Sequence, residues 1–385
     1  MNRFPPILRD RLEKLDRDQQ WRSLRPNLGV DFSSNDYLGL SQDSILKKRV
    51  EEAFRRVPLG SSASRLLRGQ MDVFEETEKF LAEFCGREMA LLYPSGYQAN
   101  VGVLTALLTP ADVVFSDQFN HASIIDGIKL SGAKKEVFPH SHLQELEFRL
   151  QAYAKHSGLR VIVVESIFGM DGDFAPLADL ARLANQYSAL LIVDEAHATG
   201  LWGDFGQRRG GGLVQAMGLS DQVFATLHPA GKALGMAGAW VSGDQELKNY
   251  LVNFSRSFIF STAPLPVLAV GLQTVLRYWA EVGVERANSV HRRSAHLRRI
   301  LSRFGPSALE VLPGDGPIIP IVLGANSRAL NMATRLQELG FDIRAIRPPT
   351  VPVGRARLRL TANLNHSIAD IDRLDRAFRD CLSVS

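Results

Sequence analysis

Cysteine is scarce in this chain: its 385 residues include two, Cys85 and Cys381. Two thiols are too few for a disulfide framework or for a four-thiolate zinc site, although one disulfide remains compatible with the sequence. Such sparing use of cysteine is typical of a reducing compartment. We therefore expect a cytoplasmic protein.

Long apolar runs and a strong charge imbalance are lacking as well. No stretch approaches the roughly 18 uncharged apolar residues of a membrane span, and the N-terminal residues contain no apolar leader core. The 45 Lys and Arg residues nearly balance the 41 Asp and Glu residues, which leaves a net charge of +4. We expect no nucleic-acid partner and no membrane partner, whereas anionic small molecules remain candidate ligands.

Between residues 91 and 241, short apolar runs alternate with helical segments. The pattern predicts strands at 90–92, 112–116, 135–138, 160–165, 190–194 and 237–241. Residues 161–164 and 190–193 are apolar at every position, as is typical of strands covered by helices on both faces. The fold class is therefore α/β, with a mostly parallel sheet between helices.

The pattern changes after Pro264. A long helix at about 265–303 is followed by strands at 318–323, 341–345 and 356–360 around a helix at 327–339, which indicates a smaller α+β domain. We predict an N-terminal segment at 1–45, with an amphipathic helix near 7–24, that packs on this small domain. The large domain would span 46–275 and the small domain 276–385.

Several common catalytic motifs are absent. The pair Gly231-Lys232 suggests a phosphate-binding loop, but Thr226 and Ala233 stand where that motif requires Gly and Ser or Thr. No G-x-G-x-x-G follows a predicted strand, and no G-x-S-x-G marks a hydrolase. His140 and His142 resemble a metal-binding pair, but without nearby acidic or thiol ligands a solvated loop is the favoured interpretation, and no metal is expected.

A different set of residues gathers at the predicted carboxyl ends of strands, where open α/β sheets bind ligands. Asp194 closes a buried strand and needs a cationic partner, which a pyridinium nitrogen would provide. Lys232 follows 38 residues later in a Gly-rich loop, a separation that allows one crossover back to the same edge. Residues 93–100 lead from a strand into a helix whose free N–H groups suit a phosphate. A lysine, a carboxylate and a phosphate site together indicate pyridoxal phosphate.

Eight segments also carry a family resemblance: 32–40 (FSSNDYLGL), 64–67 (SRLL), 120–123 (NHAS), 170–173 (MDGD), 194–200 (DEAHATG), 231–235 (GKALG), 346–352 (IRPPTVP) and 357–360 (RLRL). In this order they resemble the α-oxoamine synthases, which are fold-type-I enzymes that use pyridoxal 5'-phosphate. The resemblance covers almost the whole chain. It implies a large cofactor-binding domain with a mostly parallel seven-stranded sheet, a smaller α+β domain, and a homodimer with shared active sites.

The resemblance assigns four catalytic residues. Lys232 would be bonded covalently to the cofactor, and Asp194 would pair with the pyridine nitrogen. His121 would stack on the cofactor ring, and His197 would bond its phenolic oxygen.

The phosphate site is assigned in the same way. Gly96 and Tyr97 match the phosphate-binding turn of the family. Ser261 and Thr262 match a segment that reaches the phosphate from the other subunit.

Substrate contacts follow from the same resemblance. Arg359 would hold the carboxylate of the amino acid, for which its planar guanidinium suits a bidentate pair. Arg25 and Thr350 match acyl-substrate contacts, and Asn35 and His121 would also contact substrate.

Residues 346–352 most resemble the family members that condense L-alanine with a pimeloyl thioester, carried on coenzyme A or on acyl carrier protein, in biotin biosynthesis. The implied reaction is a decarboxylative Claisen condensation. Two alternatives remain open. One is another substrate pair, as in glycine acetyltransferase or 5-aminolevulinate synthase, and the other is a non-catalytic relative that acts as a binding protein.

Three positions depart from the family pattern. Gly169 replaces a usual Ser, Pro229 replaces a usual Thr three residues before the lysine, and Phe74 replaces a usual His. Each hydrogen bond lost to a charged group is worth roughly 1.5–3 kcal/mol, so we expect a lower cofactor affinity than is usual in the family.

Overall fold

The computed structural model describes residues 4–383. Its helices and strands are, in chain order, α1 (Pro6–Arg17), β1 (Val30–Asp31), α2 (Ser44–Phe54), α3 (Asp72–Cys85), β2 (Met89–Tyr93), α4 (Gly96–Leu107), β3 (Val113–Asp117), α5 (Ala122–Ser131), β4 (Lys134–Phe138), α6 (Leu143–Ala152), β5 (Arg160–Glu165), α7 (Leu177–Gln186), β6 (Leu190–Asp194), α8 (Leu213–Ala216), β7 (Ala225–Pro229), β8 (Ala239–Gly243), α9 (Gln245–Phe254), α10 (Arg256–Ile259), α11 (Pro266–Ser302), β9 (Glu310–Val311), β10 (Ile318–Gly324), α12 (Asn326–Glu338), β11 (Phe341–Asp342), β12 (Ala345–Ile346), β13 (Ala356–Thr361) and α13 (Ile368–Ser383).

Two compact units make up the chain. Within residues 4–383, the larger contains Asn35–Gly169 and Asp173–Ser289, and the smaller contains 4–34, Met170–Gly172 and 290–383. These boundaries differ from the 45/46 and 275/276 boundaries expected from the sequence. Helix α11 runs unbroken through the second boundary, so no turn residue marks it.

The larger unit contains a seven-stranded sheet with the order β2-β8-β7-β6-β5-β3-β4. Strand β8 is antiparallel to both of its neighbours, and the remaining pairs are parallel. The predicted mostly parallel seven-stranded sheet is confirmed. The sequence pattern did not predict strand β7, because its residues His228 and Pro229 are typical of a loop.

Alternate residues of the central strands enter two different apolar clusters. Val161 and Val163 of β5 belong to one cluster, which also includes residues of α4, α5 and α9. Ile162 and Val164 belong to the other, which includes residues of α6 and α7. Helices therefore cover both faces of the sheet, and at roughly 1.5–3 kcal/mol per buried side chain these strands provide much of the hydrophobic stabilisation.

The smaller unit contains an antiparallel sheet with the order β12-β13-β10-β9 and a separate parallel pair, β1 with β11. Its predicted strand at 341–345 is two strands, because Phe341–Asp342 pairs with β1 and Ala345–Ile346 pairs with β13. The predicted helix near 7–24 ends at Arg17, where Gln19 takes a left-handed backbone with φ of 53°.

An arginine is fully enclosed in this unit. The side chain of Arg357 on β13 is 2% exposed and donates to Asp171 Oδ1 at 2.8 Å and to the Met170 carbonyl at 3.0 Å. A buried guanidinium requires such acceptors. The turn Met170–Gly172 is thereby attached to the smaller unit.

No helix within residues 4–383 is long and apolar enough to cross a membrane. Both cysteines are buried thiols.

Candidate active site

Lys232 lies in the loop that follows β7, and its ammonium group contacts a histidine. Its Nζ is 2.9 Å from Nε2 of His197, which lies just after β6. On its other side the imidazole Nδ1 is 2.7 Å from the Tyr37 hydroxyl, and the His197 residue is 6% exposed. The ring is thus held between Tyr37 and Lys232. Sequence reasoning gave Tyr37 no role, although it lies in the segment 32–40.

Asp194, the last residue of β6, is buried at 4% exposure. Its Oδ2 accepts a hydrogen bond from Asn100 Nδ2 at 2.7 Å, and its Oδ1 accepts one from the Ala196 N–H at 2.9 Å. The Asn100 amide also donates to Ser123 Oγ at 3.0 Å. These donors fix the orientation of the Asp194 carboxylate, and Asn100 and Ser123 were not predicted as part of the site.

Glu165 ends the neighbouring strand β5 and pairs in register with Asp194. Burial and then the negative charge of Asp194 raise the pKa of Glu165 to about 8, against the opposing effect of Lys232. Two carboxyl groups this close do not both ionise readily. Glu165 was not predicted either, although it closes a buried apolar run just as Asp194 does.

His121 caps the N-terminus of α5. Its Nδ1 accepts from the Ser123 N–H at 3.2 Å, and the Ser123 hydroxyl lies 2.7 Å from the same atom. Burial lowers the pKa of His121, Asp194 raises it, and Lys232 lowers it further, with a net downward shift. The imidazole therefore shares the electrostatic environment of Asp194 and Lys232, and it remains accessible to solvent.

The N-terminus of α4 adjoins the lysine loop. Ser95 caps this helix by accepting from the Gln98 N–H at 3.3 Å, and Gly96 and Tyr97 form its first turn. A Cβ on Gly96 would lie 2.6 Å from Pro229 Cγ, so only glycine fits against the proline. The result is a helix N-terminus with free N–H groups next to the loop of Lys232, which is a favourable arrangement for an anion.

These features can be compared with what pyridoxal phosphate requires. The cofactor needs an amine for its aldehyde, an anion for its pyridinium, a flat side chain over its ring, and N–H groups for its phosphate. The larger unit provides Lys232, the carboxylate of Asp194, the accessible imidazole of His121 and the start of α4. The residues present therefore fit pyridoxal phosphate.

The other predicted residues of the larger unit lie as follows. Asn35 accepts from the Tyr37 hydroxyl at 3.1 Å and so adjoins the His197 contact. Ser261 and Thr262 lie between α10 and α11, where the Ser261 hydroxyl donates to the Thr262 carbonyl at 3.1 Å. Ser261 is half-buried and Thr262 is exposed.

The remaining predicted residues belong to the smaller unit. Arg359 lies on β13 at 7% exposure. Arg25 and Thr350 line one cavity of about 320 Å³, together with Arg22, Arg344 and Arg347. Burial lowers the pKa of the Arg347 guanidinium, and Arg22 and Arg25 lower it further by charge repulsion. The cavity thus has a positive potential suited to an anion.

The three departures from the family pattern have distinct surroundings. Gly169 lies against His197, because a Cβ at this position would be 2.7 Å from His197 Nε2. Pro229 packs on Gly96. Phe74 is fully buried on α3, with the Arg65 guanidinium 4.7 Å from its ring centroid. The Thr226 hydroxyl contacts the Ser242 hydroxyl and the His228 imidazole.

Glu165→Gln should change how stability depends on pH in the cofactor-free protein. Because the folded-state pKa of Glu165 is raised from 4.5 to about 8, its ionisation favours unfolding, and the wild type loses stability as pH rises through this window. Glutamine cannot ionise, so the variant should gain stability relative to wild type across the window. Urea unfolding at several pH values measures this, with exposed Glu76→Gln as control. Parallel curves for wild type and Glu165→Gln would contradict the prediction.

Gly169→Ala should separate His197 from Lys232. The added Cβ would lie 2.7 Å from His197 Nε2, closer than side-chain carbons approach, and Tyr37 limits retreat of the ring. We expect a loss of about 1–3 kcal/mol in the free energy of unfolding and a longer Nζ–Nε2 distance in a crystal structure. Gly60→Ala is the matched control, since nothing lies within 4 Å of its Cβ position. An unchanged contact in Gly169→Ala would show that the glycine is dispensable.

Comparisons with known proteins identify the family of this chain. The family model "Aminotransferase class I and II" matches residues 29–378. The 8-amino-7-oxononanoate synthase of Chromohalobacter salexigens is 40% identical over 94% of this chain and 93% of its own. A solved structure described as SPT with PLP is 26% identical with a TM-score of 0.86, covering 99% of this chain and 98% of that one. A crystal structure of 8-amino-7-oxononanoate synthase from Francisella tularensis is 28% identical with a TM-score of 0.75, covering 92% and 98%. The chain belongs to the class I and II aminotransferase family and, within it, to the 8-amino-7-oxononanoate synthases.

Proposed function

We propose that this chain is a pyridoxal-phosphate-dependent acyltransferase of biotin biosynthesis. It condenses L-alanine with a pimeloyl thioester and releases carbon dioxide and a free thiol, giving 8-amino-7-oxononanoate. The observation that carries the proposal is the contact of Lys232 with His197, which lies just after Asp194 at the end of β6. Curated relatives of the chain bear that enzyme's name. The alternative substrate pairs and the non-catalytic relative are not favoured.

The cofactor residues have separate tasks. When bound, pyridoxal phosphate supplies an electron sink for the carbanion of the amino acid. Lys232 would hold it covalently, and Asp194 would keep its pyridine nitrogen protonated, since a buried anion raises the proton affinity of a neighbouring base. His121 would cover the ring, and His197 would donate to its phenolic oxygen.

Lys232 would also move a proton. When its Nζ is not bonded to the cofactor, Lys232 would act as a general base that accepts the α-proton of L-alanine. The 2.9 Å contact with His197 Nε2 limits the positions of Nζ and so keeps it ready for this transfer.

The phosphate and the second subunit form a further part of the proposal. The N–H groups at Gly96 and Tyr97 would bind the phosphate, and Ser261 and Thr262 would reach it from the partner of a homodimer. In support, this segment is flanked by large apolar side chains that are open to solvent in one chain, Phe260 at 72% and Leu265 at 53% exposure. Exposed apolar side chains of this size favour a protein contact.

The substrates carry carboxylates, which arginines would bind. Arg359 would pair with the carboxylate of L-alanine, and Asn35 and His121 would also contact substrate. Arg25 and Thr350 would contact the pimeloyl thioester, supported by the positive potential of the cavity that they line. Coenzyme A and the prosthetic group of acyl carrier protein both contain phosphate, which the same potential attracts. A cytoplasmic location completes the proposal, and the sparing use of cysteine supports it.

The substrate pair can be tested by thiol release from pimeloyl-coenzyme A and from pimeloyl-acyl carrier protein. With either donor we expect L-alanine to exceed glycine in kcat/KM by about 10- to 200-fold, the range that one methyl group gives in a fitted pocket. Lys232→Ala serves as the inactive control. Equal rates with glycine and an acetyl thioester would contradict the biotin assignment.

Arg359→Ala should weaken alanine binding without loss of the cofactor. Because hydrogen bonds to charged groups contribute roughly 1.5–3 kcal/mol, we expect the KM for L-alanine to rise about 10- to 100-fold, with the visible cofactor band retained. Arg355→Ala is the matched control, since Arg355 lies just before the same strand and pairs with Glu310 on the surface. An unchanged KM in Arg359→Ala would remove Arg359 from the substrate site.

A further inference from the structure

His140 is enclosed between two carboxylates. Its Nδ1 lies 2.9 Å from Asp117 Oδ1 and its Nε2 lies 2.7 Å from Asp173 Oδ2, with 19% of the side chain exposed. The expectation of a solvated loop is therefore wrong for His140. It holds for His142, which is exposed and caps α6 by accepting from the Glu145 N–H at 3.1 Å.

The imidazole of His140 is held as a cation. Burial lowers its pKa, but the hydrogen bonds and charges of Asp117 and Asp173 outweigh burial and raise the pKa to about 10. Two aromatic rings enclose it as well: Phe119 stacks at 4.5 Å, and Phe168 meets it edge-on at 4.4 Å between centroids. A charged ring with two acceptors and two aromatic neighbours has little freedom to move.

His140 contacts both strands of a small hairpin that follows β5. Ile167 and Phe174 form an antiparallel bridge, and the Phe168 N–H donates to the Asp173 carbonyl at 3.1 Å. Phe168 and Asp173 thus face each other. His140 contacts the ring of Phe168 and the carboxylate of Asp173. The histidine consequently fixes the spacing of the two strands.

This hairpin borders the lysine site. Gly169 directly follows Phe168, its N–H donates to the Glu165 carboxyl, and its Cβ position is 2.7 Å from Nε2 of His197. The same Nε2 atom contacts Lys232 Nζ. A shift of the hairpin would therefore change the space available to the imidazole that positions the lysine.

We propose that His140 is a positioning residue for Lys232: paired with Asp117 and Asp173, it fixes the hairpin whose Gly169 holds His197 against the lysine amine. The inference rests on the proposed function, in which Lys232 carries the cofactor. The effect of His140 on Lys232 passes through the hairpin and His197. Without the imidazole, the carboxylates of Asp117 and Asp173 would lose the cation that lies between them.

The test compares holoenzymes of wild type, His140→Gln and the matched control His142→Gln. For His140→Gln we expect kcat to fall about tenfold and the KM for L-alanine to stay within about twofold. We also expect the pH midpoint of the cofactor's visible band to move by about half a unit or more, because the surroundings of Lys232 change. His142→Gln should match wild type in all three quantities.

Asp173→Asn provides a second route, since the Asp173 side chain is 31% exposed and its replacement perturbs the fold less. It should change kcat and the band midpoint in the same directions as His140→Gln does. The double variant His140→Gln/Asp173→Asn should show little further change beyond either single variant. If His140→Gln does not fold, Asp173→Asn alone decides. Lower thermal stability with a wild-type kcat and band midpoint would overturn the proposal, as would equal effects in His142→Gln.

The band midpoint requires no substrate, so the two proposals can fail separately. A wild type that shows the band but releases no thiol from pimeloyl thioesters would refute the substrate assignment and leave the role of His140 intact. A wild type that condenses the expected substrates, with an unchanged band in both His140→Gln and Asp173→Asn, would refute the role of His140 alone.

Discussion

Burial of three carboxyl groups at two neighbouring strand ends is the constraint on which this site depends. Glu165 ends β5, Asp194 ends β6 and Glu195 follows at once, and each is at most 5% exposed. An unpaired buried charge is costly, so each group needs compensation. The Asp194 carboxylate accepts hydrogen bonds from the side-chain amide of Asn100 and from the backbone N–H of Ala196. Glu195 accepts from Ser166 and from the first N–H groups of α8, while burial still raises its pKa to about 7.

The sheet explains why polar chemistry collects at this edge. Central strands that are covered on both faces have no position for a charged side chain except at their ends. Strands β6 and β7 are parallel neighbours, with Asp194 in register with Leu227. The loops that leave these two strands carry His197 and Lys232, so the contact between them follows from the pairing of the strands. Lys232 also brings a positive charge to this edge of the sheet, where several acidic side chains are buried. Its charge accordingly opposes the rise in the pKa of Glu165.

Features that depend on local pattern could be predicted from the sequence, and features that depend on distant partners could not. The apolar runs of β5 and β6 and the residues Asp194 and Lys232 were evident because burial and motif order both point to them. His140 was misjudged because its partners lie 23 and 33 residues away, in segments that showed no link to it. Glu165 was overlooked because a strand-closing acid carries no indication of its protonation state. The unit boundary within α11 differs from the expected 275/276 boundary, and the helix has no break that marks it in the sequence.

The pairing of β1 with β11 sets an order of events during synthesis. The larger unit contains no residue beyond Ser289, whereas Val30 of the smaller unit pairs with Phe341, far along the chain. A ribosome-bound chain can therefore pack its central sheet first, while the N-terminal segment that precedes it stays without its strand partner. Pairings between such distant residues form slowly. A segment made late in synthesis, Phe341–Asp342, thus provides the strand partner of β1.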